Sequence, residues 1–509
     1  MSKLSITGIE ARNKAIKGMS YVANAVKNSI GPFGLNHLSE KSNKISNDGA
    51  FIAEHLCPTI ENEFERRGAL CVNESVTRIN EEVGDASSTA WALHEAITKE
   101  ALRYLPTETT IKAKKTYSEI AQMLDKSCKE VVAELEKVKT PITSKEELIK
   151  SALVSSEDEK IAELLGSMQW DLGENGRIIA EEVNDTECSI EKVDGIIMDN
   201  GFTSSNLVTN PETQTLEIKT PLPIILTNYV IGVPEMKILR ENIFKTLATQ
   251  KKTGCIVMAR AFTGDAIKEA QENMSTFATL MINAPYTDQR EVMKDIQAVV
   301  GGRYIDNEET RLDDIYITDV GYCNRIVARR FNSIISGIVD DQYKKRVDER
   351  IEYLKKSIIG SQSEFEKRLL NERVAQLEGG FAILKVGSKS LADRKRLKDK
   401  ADDAVNSVRL ALKGGTVKGA GLAFKEISDK MEEGNILKRP ITCVYDQIIT
   451  SAPEDYEIPE WVRDPYLVLK TVLERTCAFV PTFSSINSID TTANPKECVC
   501  GKNTCESGE

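Results

Sequence analysis

The chain has almost no histidine and no long apolar run, and these two shortages narrow its chemistry first. Among 509 residues only His37, His55 and His94 are histidines, so His-based catalysis and His-rich metal centres have little to draw on. No apolar stretch is long enough to span a bilayer. The opening Met1-Ser2-Lys3-Leu4 carries no signal-peptide core, which predicts a cytoplasmic chain. Positive charge is also short. Against 78 Asp and Glu stand 67 Lys and Arg, a formal net charge of −11, which argues against nucleic acid and anionic membrane as partners. The eleven cysteines are scattered rather than spaced as a disulfide framework, and most sit among apolar residues or in helical patterns, as reduced thiols do.

What is present suffices for several cores: 41% of residues are hydrophobic, 28% are charged, and the length suits about three domains. Residues 9–30 predict one long helix, with Ala11, Ala15, Met19, Val22, Ala23, Val26 and Ile30 at helical spacing. It ends in Ser29-Ile30-Gly31-Pro32-Phe33-Gly34, a strong helix stop. The same loop is able to touch a phosphate or a monovalent cation, although a plain stop is the stronger local reading. Ile45-Ser46-Asn47-Asp48-Gly49 reads as a turn. Gly84-Asp85-Ala86-Ser87-Ser88-Thr89-Ala90 reads as a helix opening, with hydroxyls and backbone N–H groups at its positive end. Such an end suits phosphate, and an aspartate beside it suits magnesium, yet an ordinary helix cap accounts for the residues equally well.

Further along, Pro141 marks a hinge into a small mixed segment containing Asn175-Gly176-Arg177-Ile178-Ile179. From Gly195 strands and helices alternate, with Leu222-Pro223-Ile224-Ile225-Leu226 and Cys255-Ile256-Val257-Met258-Ala259 as buried strands. The charged stretch from Lys344 to Arg373 reads as solvated helices without a functional role. Asp402-Asp403 alone would be a solvated helix face. At the C-terminal end Cys498-Val499-Cys500 and Cys505 lack a fourth zinc ligand, and an unstructured tail is the simpler reading.

Taken together, four motifs in fixed order carry a resemblance: S-I-G-P-F-G, I-S-N-D-G, G-D-A-S-S-T-A and, far downstream, G-G-T-V-K-G-A-G. The set resembles the ATP-binding equatorial domain of the group I chaperonins, the GroEL family, and the likeness runs from about Ile9 to about Thr482. It implies a multidomain α+β chaperonin fold, with a mostly α-helical equatorial ATPase domain, a small α/β intermediate domain and an α/β apical domain. The implied boundaries are 1–137 and 414–488 for the equatorial domain, 138–193 and 381–413 for the intermediate domain and 194–380 for the apical client-binding domain. A flexible cysteine-containing tail would occupy 489–509. By the same resemblance Asp85 is the magnesium ligand, and Ser87, Ser88 and Thr89 contact phosphate. Ser29, Ile30, Gly31 and Pro32 line base and phosphates and help hold a potassium ion. Asp403 is the carboxylate that activates water, and Asp48 is a second carboxylate near the γ-phosphate. Gly419 and Gly421 belong to the adenosine loop, and Asp464 holds the ribose hydroxyls.

The implied function is an ATP hydrolase whose subunits self-associate into a ring, bind unfolded or partly folded proteins and enclose them, with hinges near Pro141, Gly195, Gly379 and Gly414. The resemblance leaves open whether a lid co-chaperonin takes part. A scaffold for one dedicated partner, with little ATP cycling, is the alternative. Departures from the family pattern carry expectations of their own. Ala86 replaces a glycine beside the metal aspartate, and Asn47 replaces a lysine beside Asp48. In the apical region Phe202, Leu207 and Val208 keep part of an apolar groove, and Ile243, Phe244 and Leu247 either add to it or pack a core. Asn206 stands at an aromatic position, and the helix from Asp265 to Asn273 is far more polar than its family counterpart, which predicts a narrower client range. The segment between Gly421 and Asp464 is shorter than the family's, which predicts a weakened ring–ring contact and single rings. Such drift suits a divergent, virus-encoded member.

Overall fold

The computed structural model describes residues 3–492 apart from 40–44, 107–113, 175, 194, 199, 210–215, 219–221, 286–288, 307–309, 330–332, 337–341, 362 and 380. The chain forms two compact units. One comprises residues 1–170, 180–189 and 384–509, and the other residues 171–179 and 190–383. The helices of the first segment are α1 (Gly8–Lys27), α2 (Gly49–Leu56), α3 (Glu63–Val83), α4 (Ser87–Leu102), α5 (Tyr117–Val138), α6 (Lys145–Ser156) and α7 (Glu159–Leu172). The second unit carries α8 (Val233–Leu239), α9 (Lys245–Thr249), α10 (Gly264–Glu272), α11 (Gln289–Val300), α12 (Tyr343–Gly360) and α13 (Glu364–Gly379). The chain then returns through α14 (Leu391–Gly414), α15 (Leu422–Lys430), α16 (Cys443–Ser451) and α17 (Tyr466–Ser484).

In the first unit the apolar stripe of α1 is buried along its whole length, from Ala11 through Ala15, Met19 and Val22 to Val26. It packs against α3, which Asn62 opens by accepting the N–H groups of Phe64 and Glu65 at 3.1 Å. The two helices cross at glycines. A β-carbon on Gly18 would fall inside the contact distance of the Glu65 carbonyl, and one on Gly68 inside that of the Ala15 backbone. α5 opens on a capping box between Thr116 and Glu119. α17 completes the core, with Val472, Leu473, Val480 and Phe483 buried beside Trp91 and Leu93 of α4 and Leu124 and Leu135 of α5. The strands Lys3–Thr7 and Ser488–Thr492 pair antiparallel, so residues 489–492, expected in a tail, belong to this ribbon. The Cys498, Cys500 and Cys505 stretch lies outside the described residues.

The second unit is built on a sheet in which Leu222–Thr227 lies between parallel Gly254–Ala259 and Tyr304–Ile305, with Ala278–Asn283 beyond and Gly321–Cys323 added antiparallel. Every residue of Leu222–Thr227 and Gly254–Ala259 is buried, as their unbroken apolar runs predict. A second, antiparallel sheet runs Gly195–Met198, Ser333–Ser336, Arg325–Ala328 and Leu216–Ile218. The charged stretch from Lys344 to Arg373 departs from its solvated reading at Arg350 and Arg373, among others. Arg350 and Arg373 turn inward onto the buried Asp295 of α11 with N–O separations of 2.7 Å, tying α11 to α12 and α13. Deleting either partner of such a buried pair would leave a desolvated charge.

Candidate functional site

All the carboxylates singled out in the sequence, Asp48, Asp85, Asp403 and Asp464, fall in the first unit. Local backbone chemistry places Asp48 and Asp85 at neighbouring helix starts. α3 stops at Gly84, whose φ of 73° is left-handed and whose N–H bonds Asn80 O at 2.6 Å. That glycine also makes room, because a β-carbon there would collide with the Asn406 side chain of α14. Three residues later α4 begins without any side-chain cap, so its first N–H groups retain their donor capacity. Asp48 caps α2, accepting from Phe51 N at 2.8 Å and Ala50 N at 3.2 Å. Its carboxylate also takes the Ser87 hydroxyl at 3.2 Å. Gly49 permits the approach, since a β-carbon there would lie 2.8 Å from the Ser88 nitrogen. Two helix N-termini therefore converge on the segment that carries Asp85.

Ala86 sits between them with φ 84°, ψ 20°. A side chain in that region costs about 1–2 kcal/mol, and the residue is alanine where the resembling family has glycine. Ala86→Gly is expected to raise stability by about 0.5–1 kcal/mol, the relief being partly offset by the freer unfolded chain. Urea unfolding measures it, and an unchanged or lower midpoint would mean that the left-handed turn carries no strain.

The electrostatics follow from half-burial of like charges. Burial, with the neighbouring Asp48, raises the Asp85 carboxyl above the ordinary range, against a 2.5 Å contact from the Ala86 N–H, the Ser155 hydroxyl and Lys400. Burial raises Asp403 well above its usual value, followed by Asp85 and Asp48, while Lys400 opposes. Burial and Asp85 push Asp464 up to about 7. A group of carboxylates that disfavour each other's ionisation is one that a cation would stabilise. The donors are hard oxygens, the class that Mg2+ takes. Among the described residues no three His, Cys, Asp or Glu side chains form a metal cage by themselves. The set fits an ion held by one carboxylate and completed by phosphate and water.

Asp464 lies in the strand Arg463–Pro465, paired with Thr416–Lys418. A β-carbon at Gly419 would come within 2.9 Å of Asp464 Oδ1, and one at Gly421, φ 73°, within 2.6 Å of the Tyr445 nitrogen. The loop from Ser29 to Gly34 packs nearby through its side chains. Ile30 is buried with Ala92, Val444 and Ile448, and Ala420 packs on the same cluster. Gly31, φ 78°, leaves room for Ile448, to which a β-carbon would come within 2.9 Å. The Ser29 hydroxyl bonds Val26 O at 2.8 Å and so closes its own helix. The expected hinge positions Pro141 and Gly414 are also neighbours in space: Thr140 and Thr416 exchange backbone hydrogen bonds of 2.7 and 2.8 Å.

Sequence reasoning missed Ser155, Lys400 and Ser407. The Ser155 hydroxyl bonds Asp85 Oδ2 at 3.1 Å and lies 2.7 Å from the Ser407 hydroxyl. A hydroxyl has one proton, so when Ser155 gives its proton to Asp85 it accepts from Ser407. Lys400, Asp403 and Ser407 are three and four residues apart, one face of α14, and that spacing is the signal that would have found them. In the second unit Ile243, Phe244, Leu247 and Leu207 are all buried, so core packing claims them, whereas Phe202 and Val208 are half-buried. α10 buries Ala266 and Ala270 and turns Glu269 to an ion pair with Arg240, next to α8.

The architecture is a multidomain α+β fold with a helical unit bearing the carboxylate cluster and an α/β unit. Residues 22–437 match the TCP-1/cpn60 chaperonin family, and the chain belongs to it. Its fold is similar to that of the chaperonin gp146 from bacteriophage EL 2 (Pseudomonas aeruginosa), crystallised in presence of ATP-BeFx. For crystal form II the TM-score is 0.73 at 15% identity, covering 96% of this chain and 100% of the other. For crystal form I it is 0.66 at 16% identity, covering 96% and 99%.

Proposed function

We propose that this chaperonin is an ATPase that binds non-native protein and assists its folding in a ring-shaped chamber. The observation that carries the reading is the gathering of Asp48, Asp85, Asp403 and Asp464 at two converging helix N-termini. Phosphate would sit against the uncapped N–H groups of α4 and the hydroxyls of Ser87, Ser88 and Thr89. Asp85, steadied by Ser155, would hold Mg2+, which supplies charge neutralisation at the phosphate oxygens when bound. Asp403 would take the proton from the attacking water. Asp464 would accept a ribose hydroxyl beside Gly419 and Gly421. The Ser29–Pro32 loop would close the base side, with K+ at its backbone oxygens.

The chamber walls would be the apical residues 194–380, and the intermediate segments 138–193 and 381–413 would carry Asp403 on its hinges. Burial of Ile243, Phe244 and Leu247, together with the Arg240–Glu269 pair, supports a client surface narrower than the family's apolar groove. The same observation favours a second reading, a scaffold for one dedicated partner. The short segment after Gly421 supports single rings, and the fold shared with a phage protein supports a viral origin.

Phosphate release by the purified chain with Mg-ATP, imaged by electron microscopy with and without nucleotide, tests both readings. Rings with magnesium-dependent turnover are expected, and turnover is expected to vanish in Asp403→Ala. Rings without turnover would transfer the conclusion to the scaffold reading. Particles that are never rings would overturn both.

A further inference from the structure

The Asp85 carboxylate is engaged at both of its oxygens. Oδ1 takes the N–H of the adjacent Ala86 at 2.5 Å, and Oδ2 takes the Ser155 hydroxyl at 3.1 Å. The first contact is local and comes with the turn. The second reaches across 70 positions, from the last turn of α6. The corner that follows Ser155 is fixed to α14 at further points. Leu148 and Ala152 of α6 and Ala162 of α7 pack on Val408 and Ala411. Glu157, φ 52°, pairs with Lys400 at 2.9 Å. Ser407, fully buried, sets its hydroxyl 2.7 Å from that of Ser155. An ionised carboxylate only accepts, so Ser155 donates to Asp85 and Ser407 donates to Ser155. That order holds whenever Asp85 is charged, the state in which it binds a cation.

We propose, on the reading of Asp85 as the magnesium ligand, that Ser155 and Ser407 are positioning residues for that ion, a two-hydroxyl chain that sets the plane of the Asp85 carboxylate. The terminal torsion of an aspartate is broad, so with the Ala86 N–H alone the carboxylate is free to swing. A donor on the opposite oxygen removes that freedom, and each oxygen keeps a lone pair for the ion. Ser407 acts one step further out. Without it the Ser155 hydroxyl is free to turn to a carbonyl of its own helix, as serine does inside helices. Neither serine touches the ion. Both act through the ligand they orient, the kind of outer partner whose loss weakens metal binding by about 10–100-fold. Ser407 lies one turn beyond Asp403 on α14, so the chain also ties the metal carboxylate to the helix that carries Asp403.

The test is Mn2+ binding to the full-length protein in the presence of ADP, read from the paramagnetic resonance of free Mn2+ and corrected with an ADP blank. Ser155→Ala is expected to weaken Mn2+ binding about 10-fold. Ser155→Thr, which restores the hydroxyl, is expected to recover most of that loss. Ser407→Ala should weaken binding by less. The double variant Ser155→Ala with Ser407→Ala should bind as Ser155→Ala does, because Ser407 works only through Ser155. Unchanged binding in Ser155→Ala, an equal loss in Ser155→Thr, or losses that multiply in the double variant would overturn the proposal. Asp85→Asn separates the serine pair from the site itself and is expected to abolish Mn2+ binding. Binding retained in Asp85→Asn would overturn the metal assignment and the serine pair together. Binding lost there but normal in Ser155→Ala would overturn the serine pair alone. Urea unfolding shows that each variant is folded under the conditions used. Where Ser155→Ala does not fold, Ser155→Cys, a weak donor of similar size, replaces it with the same expected loss.

Discussion

Asp403→Asn is expected to lower ATP turnover by about 10²–10⁴-fold while leaving nucleotide bound, because it removes the proposed proton acceptor and keeps the shape of the side chain. The same substitution is expected to raise the melting temperature. In the nucleotide-free protein, burial and the fields of Asp85 and Asp48 lift the Asp403 carboxyl well above its usual value. A folded-state pKa raised above the unfolded one means that the folded protein prefers the protonated group. The associated stability is fully present below the unfolded value and is lost as pH rises through the folded value. The gain from asparagine should therefore be largest above neutral pH and vanish near pH 4. Asp464, pushed up to about 7, contributes with the same sign. Turnover in the unsubstituted protein should show the converse dependence, falling on the acid side at a pH above the ordinary carboxylate range. Phosphate release across pH, beside thermal unfolding without nucleotide at pH 5 and pH 8, measures both effects. Retention of more than a tenth of the turnover in Asp403→Asn would remove Asp403 from the chemistry.

Gly68→Ala is expected to cost about 3 kcal/mol or more, among the largest effects a single methyl group has in such a protein. The added carbon would meet the backbone of Ala15 on α1, which has no rotamer to yield. Gly18→Ala should act alike against the Glu65 carbonyl, and the double variant should cost less than the sum because one separation of the helices relieves both clashes. The consequence reaches the site, since α3 ends in Gly84 and delivers Asp85. Urea unfolding with circular dichroism reads the loss. A change under about 1 kcal/mol at either position would mean that α1 and α3 separate without losing their core.

The division between sequence and tertiary structure is physical. The apolar stripe of α1 and the unbroken runs at Leu222 and Cys255 announced buried helix and strand, because burial of those faces follows from local periodicity alone. The order of the glycine and aspartate motifs was enough to reach the family. Asp48, Asp85, Asp403 and Asp464 were named from the resemblance, since each alone resembles an ordinary cap or a solvated carboxylate. Other features depended on distant parts of the chain meeting. Ser155 and Ser407 lie 252 positions apart and join only because α6 packs on α14. Arg373 belonged to a charged run until Asp295 drew it inward. No local pattern singles out Gly18 and Gly68, and the α1–α3 crossing requires both. Local pattern determined the elements and the motif order. Side-chain partnership across sequence distance, which pattern does not contain, was decided by packing.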